Sequence, residues 1–217
     1  MKMPCAGGLR TPVSQVIRTE AIARLRPNRA HALLILLVAL GLAIACGGGT
    51  ITGINVASPI FLDHPDCQTM SRSPLPIENL KFSFGDEEFE VVAEMAREAP
   101  ERTQGYICRS EVTSGTGMWF ELPAESSRGF WMYNTYVPLD VIYFDGSDVA
   151  VGAATLPPCP RAEAETDNAW RSRCAADSEQ FTAGDYPHIN VLELPAGWLA
   201  SKGFDLDDAP EKLIFQR

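Results

Sequence analysis

Between Glu88 and Phe215 the apolar residues recur at every second position in short bursts, and each burst ends at glycine, proline or a cluster of small polar side chains. Successive side chains of an extended strand point to opposite faces, so this spacing demands strands and leaves little length for helices. Glu88 to Met95 is the clearest case, with Phe89, Val91, Ala93 and Met95 on one side and Glu88, Glu90 and Glu94 on a side expected to be wet. Ala99-Pro100-Glu101-Arg102 then starts a short helix. Proline lacks an N–H that the first turn cannot use, and an acidic side chain there meets the positive end of the helix. Gly105 ends it. Strands follow over Gly117 to Leu122, Gly129 to Tyr133, Leu139 to Asp145, Val149 to Ala153 and His188 to Leu194. A second short helix follows over Pro195 to Lys202, stopped by Gly203, and Lys212 to Phe215 forms a closing strand. The pattern predicts a mainly β chain, a compact sandwich or partly closed barrel with two short helices.

The densest chemistry lies in Phe130 to Asp140, FWMYNTYVPLD, where aromatic and short polar side chains crowd a corner that Pro138 separates from the next strand. Trp131, Met132, Asn134, Thr135 and Asp140 are the candidate ligand-binding residues, with Arg102 and Arg109 as bidentate donors able to reach Asp140 or a ligand carboxylate. Trp119, Trp131, Tyr133, Tyr136 and Tyr143 could line a platform for sugar or aromatic rings, although aromatic residues in strands more often fill cores. Asp140 shares a strand face with Ile142 and Phe144, so its carboxylate needs hydrogen bonds or its pKa rises. It either ties the corner together or serves a ligand. Glu193 shares a face with Ile189 and Val191 in the same way. Were the two carboxylates about 6 to 9 Å apart across a cleft, they could act as the acid and base of glycoside hydrolysis; a strand-end glutamate at the rim is the plainer alternative. The chain has no G-x-S-x-G elbow, phosphate loop, H-E-x-x-H or dinucleotide glycine fingerprint. These absences imply no cofactor and favour a non-catalytic module over an enzyme.

The chain's address is written in its first 45 residues. Five arginines between Arg10 and Arg29 precede an uninterrupted apolar run from Ala32 to Ala45, the grammar of a signal peptide rather than of a membrane-spanning helix, which needs about 20 apolar residues. The run ends Ala43-Ile44-Ala45-Cys46, similar to a bacterial lipobox, so Cys46 is a candidate for lipidation; an uncleaved anchor and free secretion are the alternatives. Residues 46–79 read as a flexible tether and 80–217 as one β-rich domain. Removing the leader takes six of 18 basic and one of 28 acidic residues, leaving 12 and 27, a net charge of −15. Such a surface repels nucleic acid and anionic lipid. Exported chains tend to pair their cysteines. Cys159 and Cys174 bracket a polar segment that would otherwise be a long unstructured loop, and Cys67 with Cys108 follows by elimination. Zinc competes poorly, since no C-x-x-C spacing exists and the chain has three histidines, so no metal site is expected.

Several of these residues also carry a family pattern. E-R-x-x-G at Glu101, Arg102 and Gly105, then Arg109 and Ser110, Gly117-Met118 with Phe120, Phe130-Trp131-Met132, Asn134-Thr135, Pro138-Leu139-Asp140, and V-L-E-L-P-A-G-W from Val191 to Trp198 with Gly203 together resemble the domain of unknown function 192 family from about Lys81 to Phe215. The resemblance implies a compact β-rich domain of jelly-roll or barrel type, often exported, and carries no activity. It makes the Cys159 to Cys174 stretch look like an insertion between strands, and Cys108 stands where the family commonly has an apolar residue. The expected function is a membrane-attached, extracytoplasmic and periplasmic module that binds a small molecule or an envelope protein. An envelope carbohydrate-active enzyme using Asp140 and Glu193, or an accessory factor of secretion or envelope assembly, are the alternatives.

Overall fold

A computed structural model describes residues 58–70, 73–178 and 187–217. The leader 1–45, Cys46 and the start of the expected tether lie outside the described residues. Seven strands form one sheet: β1 (Ile77–Phe84), β2 (Glu87–Ala96), β3 (Thr116–Ser126), β4 (Leu139–Phe144), β5 (Ala150–Leu156), β6 (His188–Pro195) and β7 (Leu213–Gln216). Their spatial order is β5-β4-β6-β3-β2-β1-β7. All neighbours are antiparallel except β2 and β3, which are parallel and joined through helix α1 (Ala99–Gln104). Parallel neighbours require a crossover, and α1 is that crossover.

The sheet curls until its two edges nearly meet. Val149 bridges Ile214 in antiparallel fashion, and the Phe215 N–H donates to the Asp148 carbonyl at 2.9 Å. Arg217 adds an ion pair with Asp148. Of the sandwich and the partly closed barrel, the molecule takes the barrel, a single sheet whose outermost strands protect each other's unpaired backbone.

Both faces of this sheet are buried. One carries Phe82, Val91, Met95, Trp119, Ile142, Phe144, Leu192 and Leu194. Its rings meet at tilted or edge contacts, such as Trp119 on Phe215 at 4.6 Å and on Phe144 at 5.3 Å. The other face carries Met118, Phe120, Val141, Tyr143 and Val191. It is roofed by α1, by the 130–138 corner, by residues of 61–70 together with Leu75, and by helix α2 (Asp167–Ser178). Each fully buried large apolar side chain contributes about 1.5–3 kcal/mol.

Three expectations need correction. Gly129 to Tyr133 is not a strand; among the described residues its one ladder contact is an isolated bridge from Tyr133 to Cys159. The described part of the expected tether is built into the fold. Pro65–Cys67 forms a 3-10 turn, Cys67 is bonded to Cys108, and β1 begins at Ile77. The Cys159–Cys174 bridge forms as expected, but it closes on a helix. Trp170 and Cys174 are the buried residues of α2, and the Trp170 indole donates to the Cys159 carbonyl at 2.9 Å. Helix α3 (Trp198–Ser201) occupies part of the expected second helix. No helix among the described residues is long and apolar enough to cross a membrane.

Candidate functional site

The Phe130 to Asp140 corner leaves the sheet between β3 and β4 and folds over α1. Asn134 can turn the chain there because asparagine tolerates the left-handed conformation, which it holds at φ +54°. Its side-chain amide donates to the Asp66 carbonyl at 2.9 Å, and its own carbonyl accepts from the Cys108 N–H at 2.9 Å. Asn134 is fully buried and serves as a clamp on the roof. Thr135 donates weakly to the Tyr133 carbonyl at 3.4 Å, and its carbonyl accepts from the Cys159 N–H at 3.1 Å.

Asp140 is 2% exposed and satisfied. One carboxylate oxygen accepts from the Thr155 hydroxyl at 2.6 Å and the other from the Gly197 N–H at 2.7 Å. Gly197 takes φ +78°, which suits glycine, and caps α3. Asp140 therefore ties β4 to β5 and to the turn before α3. Arg109 is likewise occupied. It is 3% exposed, pairs with Glu94 at 2.7 Å and lies over the rings of Phe61 and Tyr106. Glu94, expected on a wet face, is the counter-ion that makes burial of Arg109 tolerable.

The two inward carboxylates do not share a cleft. In the β4–β6 pair, Val141 stands opposite Glu193 and Asp140 opposite Leu194. Opposed residues share a face and sequence neighbours do not, so Asp140 and Glu193 project to opposite sides of the sheet. The pair expected for glycoside hydrolysis is not assembled. The aromatic platform also divides: Trp119 lies in the core of one face, while Trp131, Tyr133 and Tyr143 belong to the other side.

A narrow cleft does gather the rest of the candidates. Arg102 and the α1 end form one wall, Trp131 and Met132 the other, and Thr135 and Glu193 also line it. Ile107, Phe120, Phe130 and Leu139 add apolar surface, and Thr103, Gln104 and Tyr106 add polar side chains. The space open to the centres of water-sized molecules is about 30 Å³, enough for a few waters or one small functional group. Trp131 is 40% exposed at the rim, its ring lying on Tyr133 at 5.1 Å and 23°. Arg102 is held there by donating to the carbonyls of Arg97 and Glu121.

Glu193 is 4% exposed and has no hydrogen-bond partner among the described residues. Burial raises its pKa from 4.5 to about 8, so the carboxyl is largely neutral at pH 7. Its charge, when present, raises the pKa of the Tyr106 and Tyr143 hydroxyls, whose own burial is the larger cause; Tyr143 reaches about 12. Sequence alone singled out Glu193 for its inward position but attached it to the wrong partner. The cleft walls at Gln104, Tyr106, Ile107 and Phe120 were missed, because nothing in their local pattern announces which neighbour they will face. Among the described residues no group of three or more His, Cys, Asp or Glu side chains comes together to hold a metal.

Comparison with known proteins places these observations. The DUF192 model, described as Uncharacterized ACR, matches residues 82–210. No curated protein matches the chain. A solved Novosphingobium aromaticivorans DSM 12444 protein of unknown function is 24% identical, with a TM-score of 0.51, covering 78% of this chain and 100% of its own. A solved Sinorhizobium meliloti 1021 protein, described provisionally as a transcription regulator, is 22% identical, with a TM-score of 0.49, covering 67% of this chain and 98% of its own. The first of these shows a shared fold.

Proposed function

The chain belongs to the domain of unknown function 192 family, and we propose that it is an extracytoplasmic, non-catalytic binding module whose ligand enters the cleft between α1 and the Phe130–Thr135 corner. The observation that carries this reading is Glu193, a nearly fully buried carboxyl that lines the narrow cleft and makes no hydrogen bond among the described residues. A buried polar group left unpaired costs about 1–3 kcal/mol. A fold that keeps one facing a cleft gains that energy back when a ligand supplies the missing hydrogen bond. Trp131 is exposed at the mouth of the same cleft and offers an apolar face to the body of the ligand.

Two disulfides support an oxidising compartment. The leader grammar of residues 1–45 supports export, and Cys46 supports attachment to a membrane through lipid, with an uncleaved anchor as the other means. The periplasm is the compartment that fits both. The net charge of −10 weighs against nucleic acid. Catalysis by Asp140 with Glu193 is not part of this reading, since the sheet separates them.

The test is a thermal-shift screen of the whole chain against envelope saccharides and peptides, repeated on Trp131→Ala. Ligand binding to the native state raises the melting midpoint by mass action, about 2.7 kcal/mol at a hundredfold excess over Kd. A shift that Trp131→Ala abolishes, while the unliganded midpoint stays within a few degrees, supports the cleft. A shift retained in the variant places the ligand elsewhere and overturns it.

A further inference from the structure

We infer that the cleft takes an uncharged, hydroxyl-bearing ligand, a saccharide ring or polyol, and holds one of its hydroxyls on the Glu193 carboxyl. This rests on the reading of the cleft as the binding site and names the chemistry it accepts.

The surroundings of Glu193 exclude the other classes one by one. An anion could pair with Arg102 only at the rim, and inside the slot it would lie against a carboxyl that ionises as pH rises, on a chain of net charge −10. A purely apolar group would fill the slot and leave the carboxyl as unpaired as before, at the same cost. A cation would need Glu193 ionised beside Phe120, Phe130, Met132 and Leu139, with only the neutral oxygens of Thr103, Gln104, Tyr106 and Thr135 in the lining to add to it and no second carboxylate. It would also have to pass the Arg102 guanidinium at the rim. Taking two charges out of water there costs more than their attraction returns unless further hydrogen bonds complete the site.

A hydroxyl avoids all three penalties. A neutral carboxyl has one O–H donor and free acceptor capacity, and a hydroxyl has the complementary pair, so two hydrogen bonds form with no charge buried. The slot admits one such group and no more than the start of a ring. The rest of the ligand must lie outside, where Trp131 stands. Sugar rings present flat C–H faces with hydroxyls at their edges, and this matches a tryptophan rim beside a narrow polar hole.

Binding should then follow the protonation of Glu193. The titratable and charged groups facing it among the described residues are Tyr106 and Tyr143, whose pKa values burial raises, and Arg102 in the cleft wall. The protonated carboxyl makes both hydrogen bonds whereas the ionised one can only accept, so with a pKa of about 8 the apparent affinity falls by at most about thirtyfold between pH 6.5 and pH 9.5.

The experiment is a titration of the full chain by nuclear magnetic resonance, with glutamate carboxyl carbons and tryptophan indoles labelled. Glycerol, glucose and N-acetylglucosamine are the neutral probes and methylammonium is the cationic one. The expected result is a Trp131 indole shift with a neutral probe, a Glu193 titration midpoint that moves upward, and retention of binding without pH dependence in Glu193→Gln. A Trp131 shift with an unmoved Glu193 midpoint would leave the cleft reading standing and overturn the hydroxyl contact. A midpoint that falls with methylammonium, and binding lost in Glu193→Gln, would make this a cation site and overturn the inference. If no probe moves Trp131, the inference and the cleft reading both fall.

Discussion

Replacing Glu193 by Gln should stabilise the protein at neutral pH, and the gain should grow with pH at a rate the structure sets. The unfolded chain releases the Glu193 proton near the ordinary value of 4.5, whereas the native molecule keeps it until about 8. Between those values the native state holds a proton that the unfolded state has lost, so stability falls as pH rises, by about 1.4 kcal/mol per pH unit. Below 4.5 both states are protonated and no stability is lost; above about 8 both are ionised and the loss is complete. The cost is about 3 kcal/mol at pH 7 and about 5 kcal/mol in full. Gln has nearly the same size and never ionises, so the variant escapes the loss while every other titrating group contributes equally to both proteins. Urea denaturation at pH 5, 6, 7 and 8 measures the difference directly. With a slope of about 1–3 kcal/mol per molar urea, the variant's midpoint should lie roughly one to three molar higher at pH 7 and near parity at pH 5. Two stability curves that run parallel from pH 5 to pH 8 would refute the reasoning, because the carboxyl would then be ionised in the native state.

Other expectations rest on equally local geometry. Asp140→Ala leaves the Thr155 hydroxyl and the Gly197 N–H without their acceptor and should cost about 3 kcal/mol, read as a lowered thermal midpoint; an unchanged midpoint would return Asp140 to the list of ligand contacts. Gly117→Ala would place a methyl 2.8 Å from the Glu193 carbonyl and 2.9 Å from Leu194; overpacking of about 1–3 kcal/mol should appear in the same assay. Cys159→Ser with Cys174→Ser opens a loop of 15 residues worth about 3 kcal/mol and should redshift the fluorescence of buried Trp170 as water reaches it.

The strands were legible where one face alternated with the other, as in Glu88 to Met95, because period two is a local property. The roof was not. Asp167–Ser178 has only Trp170 and Cys174 to bury, too few apolar positions to mark a helix against its polar surroundings, so the segment reads as loop until the disulfide and the Cys159 carbonyl fix it. Asp140 and Glu193 were each correctly seen to point inward, yet their separation depends on β4 pairing with β6 at Val141 opposite Glu193. That register is a long-range fact which no spacing within either strand encodes. Arg109 and Glu94 found each other for the same reason, fifteen residues apart in sequence and on elements whose approach only the folded sheet defines.

The near-meeting of the sheet edges has a consequence for the order in which this molecule can be made. Strand β1 is among the first to leave the ribosome, but its outer neighbour β7 is synthesised 129 residues later, after every other strand. Until β7 emerges, β1 and β5 both present bare backbone to any chain nearby. The growing polypeptide can form its β1–β2 hairpin early and cannot seal the ring until β7 has been made. A chaperone that shields open strand edges during that interval would matter more to the yield of this protein than any aid to collapse.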